Sequence, residues 1–176
     1  MGKRNSLAAR ASLAAVAAAI AGMLVCTAHA EPKKPARSED GKYFDKDDVP
    51  TYNISEGGKV DWYTYSGYRR YHAECHVCHG PDVMGSRYAP ALVDSAKNLT
   101  YQQFTEIVVQ GRQNVTASAH NVMPSFGTNM NVMCYLDDIY VYLRARADGA
   151  LGRVRPNERE QKPEAAVAAE KSCIGG

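Results

Sequence analysis

Cys75-His76-Val77-Cys78-His79 brings two thiols and an imidazole together on one short stretch. Thiols separated by two residues lie on one helical turn, where each can add across a vinyl group of a single haem. The next residue, His79, then projects toward the iron as an axial imidazole. C-x-x-C-H is therefore an attachment site for one covalent haem c. Two other chemistries use C-x-x-C. A thioredoxin-like redox pair needs a βαβ setting, and the chain has no such alternation. A zinc site needs a second close pair of Cys or His, which is also missing.

An iron bound through His79 has a sixth position to fill. Met84, Met123, Met130, Met133 and His120 are the candidates. Met84 is too close to His79 in the chain to reach the opposite side of the iron. Met133 stands beside Cys134 at the expected start of a helix and reads as a packing residue. Met123, Met130 and His120 remain, all in one long connection, with Pro124 stiffening the chain after Met123. A thioether opposite an imidazole raises the potential and leaves no open coordination site, which favours electron exchange over catalysis at iron.

These residues need a scaffold. A first helix is expected from about Asp61, a possible N-cap, to Cys75. A second starts at the capping box Thr100-Tyr101-Gln102-Gln103 and stops at Gly111. A third runs from about Val132 to Ala147, with Leu136, Ile139, Tyr140 and Leu143 on one apolar stripe. Pro163 to Ser172 can form a short fourth. Residues 80–98 and 112–131 carry little periodicity, and connections that long are usually functional or wrapped around something. No strand is convincing. The expected fold is small and all-α: three main helices with long loops wrapped around one haem.

Lys3, Arg4 and Arg10, the Ala-rich stretch from Leu7 to Val25, and Ala28-His29-Ala30 make a secretory signal peptide over residues 1–30, cleaved after Ala30. Cys26 leaves with it. The chain's charge of +2 is then misleading, because residues 31–176 hold 18 basic and 19 acidic side chains. A strongly basic nucleic-acid binder is excluded, and so is stable membrane insertion after cleavage. Leu, Ile, Val and Phe make up only about 17% of those residues, a level usual for disordered chains of high net charge. With net charge near zero and 11 tyrosines, either the tyrosines or a non-protein group must complete the core. Residues 31–60 read as an extended N-terminal segment, 61–150 as the haem domain, and 151–176 as a C-terminal extension. Outside the cytosol, the spare Cys134 and Cys173 are expected to pair and tie that extension back; two unpaired buried thiols are the alternative.

Residues 61–150 resemble a class I c-type cytochrome. Gly67 and Tyr71 precede Cys75 at the family's positions for a glycine and an aromatic, where the first helix crosses the last. Tyr142-Leu143 resembles the other half of that crossing. Gly80 and Ala89-Pro90-Ala91-Leu92 resemble the family's proline loop, which implies that the Pro90 carbonyl accepts the Nδ1–H of His79 and raises its basicity. The resemblance implies Met123 as the distal ligand, with Met130 second. Four cysteines after the signal, Met123-Pro124-Ser125-Phe126-Gly127 and Met133-Cys134-Tyr135-Leu136-Asp137-Asp138-Ile139-Tyr140 resemble a four-cysteine subgroup linked to methanol metabolism. That likeness implies a periplasmic one-electron carrier and no enzyme. It would accept electrons from a PQQ-dependent alcohol dehydrogenase and pass them to a downstream cytochrome or oxidase. The competing readings are a haem enzyme or gas sensor with an open or displaceable sixth site, and a thiol redox protein using Cys75 and Cys78.

Overall fold

Asp61 starts the principal helix by filling its first open donors. In the computed structural model, its carboxylate accepts the Thr64 N–H at 2.8 Å and the Thr64 hydroxyl at 2.6 Å, and also the Asn53 N–H at 2.8 Å. Helix α1 then runs Trp62–Glu74 and ends at Cys75, whose N–H donates to the Tyr71 carbonyl. The model describes residues 34–115 and 120–175. The segment expected to be a signal peptide, with Cys26, lies outside them. His79 closes a further short helix, α2 (His76–His79). Helices α3 (Leu92–Asn98) and α4 (Tyr101–Gln110) follow. The capping box of α4 is formed on both sides: Gln103 N–H donates to Thr100 Oγ1 at 3.2 Å, and Thr100 N–H to Gln103 Oε1 at 2.9 Å.

The fold is mostly helical and not strictly all-α. Strands β1 (Arg37–Glu39), β2 (Lys42–Phe44) and β3 (Pro50–Thr51) form an antiparallel sheet within the segment expected to be extended. Glu39 lies opposite Lys42, and Asp40-Gly41 between them take positive φ of 51° and 78°. Asp-Gly is the sequence of a two-residue hairpin turn whose twist matches that of strands. The sheet is tied to the helices by Lys42, 3.0 Å from Asp137, and by Tyr63, whose hydroxyl donates to the Asp40 carbonyl. A second pair, β4 (Arg112–Val115) and β5 (His120–Met123), lies in the connection expected to be irregular.

The expected third helix is broken. Met130–Met133 form α5 and Leu136–Ala147 form α6. The break falls at Cys134, which is disulfide-bonded to Cys173, and at Tyr135, whose ring lies 3.4 Å below the Arg70 guanidinium. Helix α6 packs across α1 at Gly67. A Cβ there would sit 1.8 Å from the Asp138 carbonyl oxygen and 2.9 Å from Tyr142 Cβ, so only glycine allows this approach. Tyr71 and Tyr142 pack at 5.4 Å beside it. Seven of the eleven tyrosines are buried, among them Tyr52, Tyr71 and Tyr142. They supply much of the core that the few aliphatic residues cannot.

Past α6 the chain returns along α1. Val60 N–H donates to Glu158 O and Glu160 N–H to Val60 O. Arg159 lies 4.4 Å from the Tyr65 ring centroid, and Lys162 lies 5.5 Å from that of Trp62. Helix α7 (Glu164–Ile174) buries only Ala166 and is held near its far end by the Cys134–Cys173 bond. Among the described residues, no helix is long and apolar enough to cross a membrane.

Candidate functional site

Both thiols and the imidazole sit where α1 turns into α2. Cys75 is the C-cap of α1, and its carbonyl accepts the N–H groups of Cys78 at 3.2 Å and His79 at 3.0 Å. This places the motif on one tight turn, as its spacing requires. Cys75 and Cys78 are not bonded to each other. Burial, with a smaller contribution from Glu74, pushes the Cys75 thiol up to about 12. Thiols that exchange disulfides work through lowered values, so this environment argues against a thiol redox pair.

His79 is buried, and its Nδ1 lies 3.0 Å from the Pro90 carbonyl oxygen. That bond fixes the ring's orientation and tautomer, and leaves Nε2 as the nitrogen with a lone pair for a metal. The loop carrying Pro90 is itself fixed: Gly85 N–H donates to His79 O, Ser86 N–H to Ala89 O, and Leu92 N–H to Val83 O. The Ser86 hydroxyl bonds the Cys78 carbonyl. Tyr71 is fully buried in the α1–α6 crossing, and its hydroxyl donates to the carbonyl of Gly80, the residue after His79. Burial holds this phenol protonated, above its ordinary range.

Met123 ends β5 and is half-buried against the core. The segment after it docks on the open C-terminal carbonyls of α4. Phe126 N–H donates to Val108 O at 3.0 Å, Gly127 N–H to Val109 O at 3.1 Å, and the Ser125 hydroxyl to Val109 O at 2.6 Å. Gly111 makes the dock possible. At φ 77°, its Cβ would lie 2.6 Å from the Met123 carbonyl oxygen and 2.8 Å from Ser125 N. Met130 and Met84 are exposed, and Met133 packs against the core. His120 pairs with Val115 through β5.

Several contributors carry no sequence signal. Asn129 caps α5 and donates to Glu74 at 3.1 Å, tying the end of the distal loop to the residue before Cys75. Arg146, buried at the end of α6, donates to the carbonyls of Leu151 and Asp82. Arg153 pairs with the Asp82 carboxylate and holds it below the usual carboxylate range. His72 reaches across to Pro81.

The donor set fits a covalent haem c. Two unpaired thiols flank a turn, an oriented imidazole follows, and a thioether lies on a separately anchored loop. Among the described residues, three buried side-chain polar atoms lack partners: His76 Nδ1 within the motif, Thr105 Oγ1 on α4 and Arg146 Nε on α6.

Comparison with known proteins agrees with this geometry. Residues 64–143 match the family model described as cytochrome c oxidase, cbb3-type, subunit III. The chain is 56% identical over 142 residues to cytochrome c-553I of Paracoccus denitrificans, covering 81% of this chain and 63% of that longer protein. It is 40% identical over 93 residues to cytochrome c-555 of Methylococcus capsulatus, covering 52% of this chain and 69% of that one. The crystal structure of the c-type cytochrome XoxG from Methylobacterium extorquens AM1 superposes with a TM-score of 0.76 at 61% identity, over 82% of this chain and 89% of that one. The oriented histidine behind the C-x-x-C turn is thus part of a fold shared with these relatives, and the chain belongs to the c-type cytochromes.

Proposed function

We propose that the protein is a periplasmic mono-haem carrier of single electrons. It accepts them from a PQQ-dependent methanol or alcohol dehydrogenase and delivers them to a downstream cytochrome or oxidase. The observation that carries this reading is the His79–Pro90 bond directly behind two unpaired thiols. Cys75 and Cys78 would hold the haem as thioethers, with His79 Nε2 and Met123 Sδ on the iron. When bound, that group supplies a one-electron iron couple.

The chain's own residues set the conditions for that couple. Pro90 orients His79 and raises its basicity. The α4 carbonyls anchor the loop after Met123, so little needs to move when charge changes. Tyr71 fills the helix crossing and secures the turn after His79. Carrying an electron forms no bond to substrate, so no nucleophile or general base is required. The near balance of acids and bases after residue 30 leaves little long-range steering, and encounter with partners then depends on local patches. Of the basic stretch at Arg144–Arg155, Arg153 and Arg155 are exposed and supply one such patch, whereas Arg146 is buried and Arg144 is paired with Asp148. The donor assignment rests on the four-cysteine pattern and the two runs around Met123 and Cys134.

Mass spectrometry and visible spectroscopy of the exported protein test the carrier. The expected result is the mass of residues 31–176 plus one haem, a low-spin spectrum and no carbon monoxide binding. An unmodified mass, or ready carbon monoxide binding by the reduced protein, would contradict it. The second outcome would favour a haem enzyme or gas sensor.

A further inference from the structure

We infer that Asn129 is a positioning residue that latches the distal loop to α1 through Glu74, and so sets how often the sixth position of the iron is uncovered. The inference rests on the carrier reading above, in which Met123 fills that position. Asn129 Nδ2 lies 3.1 Å from Glu74 Oε2, and Asn129 Oδ1 accepts the Asn131 N–H at 2.9 Å. A backbone N–H only donates, so it fixes Oδ1 as the acceptor and leaves Nδ2 as the donor to Glu74. One side chain thus caps α5 with its oxygen and bonds α1 with its nitrogen. Both residues of the pair are half-buried.

The rest of the loop is held from other directions. Past Met123, the Phe126 and Gly127 N–H groups and the Ser125 hydroxyl bond the Val108 and Val109 carbonyls of α4. The Asn129 N–H then donates to Phe126 O at 2.8 Å, and the Asn129 carbonyl accepts from Val132 and Met133. Asn129 therefore ends the last turn of the loop and begins α5. On α1, Arg70 and Glu74 are four residues apart and share one face. The Arg70 guanidinium covers the Tyr135 ring at 3.4 Å, and Glu74 takes Asn129. That α1 face grips α5 at both ends, and Glu74 grips the end that leads back to the loop.

The position gives the latch its purpose. Glu74 ends the helix that leads into the attachment motif, one residue before Cys75. Asn129 closes the loop that carries Met123. The α4 carbonyls hold that loop on one side and Glu74 holds it on another, so the thioether is presented from two fixed walls. Lifting the loop away from α1 breaks the Glu74 bond, and the turn from Phe126 to Asn129 passes this restraint back toward Met123. Removing the bond lowers the cost of opening the loop while α4 keeps its own capping box and hydrogen bonds.

The test uses the full-length exported protein carrying its haem. Excess imidazole is mixed with the oxidised protein, and its binding is followed by loss of the methionine–iron charge-transfer band. At saturating imidazole the rate is that of loop opening. Asn129→Ser keeps an oxygen to cap α5 but is too short to reach Glu74; Glu74→Ala removes the acceptor. Each should speed opening roughly tenfold, the effect of one hydrogen bond to a charged group. The double variant should open no faster than either single one, because both remove the same bond. Glu74→Gln keeps an acceptor oxygen and should open more slowly than Glu74→Ala. Amide exchange at Phe126 and Gly127 should quicken in step, while exchange at Phe104 in the first turn of α4 stays as in the parent. Unchanged opening in Asn129→Ser and Glu74→Ala would overturn the inference, as would effects that multiply in the double variant. In both cases a parent with the methionine–iron band would leave the carrier reading intact. A parent that lacks the band and binds imidazole at a rate that never saturates would overturn both.

Discussion

Gly67→Ala places one methyl group where the two longest helices meet. The added Cβ would lie 1.8 Å from the Asp138 carbonyl oxygen, 2.5 Å from its carbon and 2.9 Å from Tyr142 Cβ. Two of these atoms are backbone and the third is a Cβ, so no rotamer change relieves the clash. The helices must separate, at a cost near the upper end for overpacking, about 3 kcal/mol. Alanine also favours helix over glycine by about 1 kcal/mol. The net loss is then about 2 kcal/mol, or roughly 4–8 °C in Tm for a domain of this size. Urea and thermal unfolding of the haem-loaded protein, followed by far-ultraviolet circular dichroism, measure it. Gly57→Ala is the control: nothing lies within 4 Å of its Cβ and its φ is not positive. It should be neutral or stabilise slightly. A Gly67→Ala protein at least as stable as the parent would show that helix propensity outweighs packing here, and would refute the reasoning.

Met123→Ala should abolish the methionine–iron charge-transfer band of the oxidised protein, whereas Met130→Ala should keep it; the reverse would move the sixth ligand to Met130. Replacing Cys134 and Cys173 together with Ser should lower stability by up to about 4 kcal/mol, the chain-entropy value for a loop of this length. Hydrogen exchange should then show α7 released, since Ala166 is its one buried residue. Burial raises the Asp138 carboxyl to about 7. Its folded-state value exceeds its unfolded one, so its stabilising effect is complete below the ordinary carboxylate value near 4 and is lost as pH rises through about 7. Asp138→Asn should flatten the stability profile across that window in urea titrations, and an unchanged profile would show that the group does not titrate there.

The parts of the site legible in the sequence are local or are fixed by covalent chemistry. Cys75, Cys78 and His79 announce themselves by spacing, and Asp61, Thr100 and Gln103 by reciprocal bonds within one helical turn. The resemblance around Gly67 and Pro90 supplied two long-range contacts that periodicity alone does not give. What stayed hidden has other causes. The first hairpin had a signal in Asp40-Gly41, but Arg37–Glu39 is exposed and charged and shows no strand alternation. Helix α3 buries only Val93 and Ala96, too short a stripe to stand out. The break at Cys134-Tyr135 depends on Cys173 and Arg70, both distant in the chain. The contacts of His72 and Asn129 are to backbone carbonyls and carboxylates brought near by folding, and no spacing rule records them.

Stopped-flow mixing of the oxidised, haem-loaded protein with a substrate-reduced quinoprotein methanol dehydrogenase from the same cell tests the proposed role most directly. The account predicts reduction at a rate that rises with dehydrogenase concentration and a yield of one electron per chain. A protein that dithionite reduces fully, but that stays oxidised in the presence of the dehydrogenase, would contradict it.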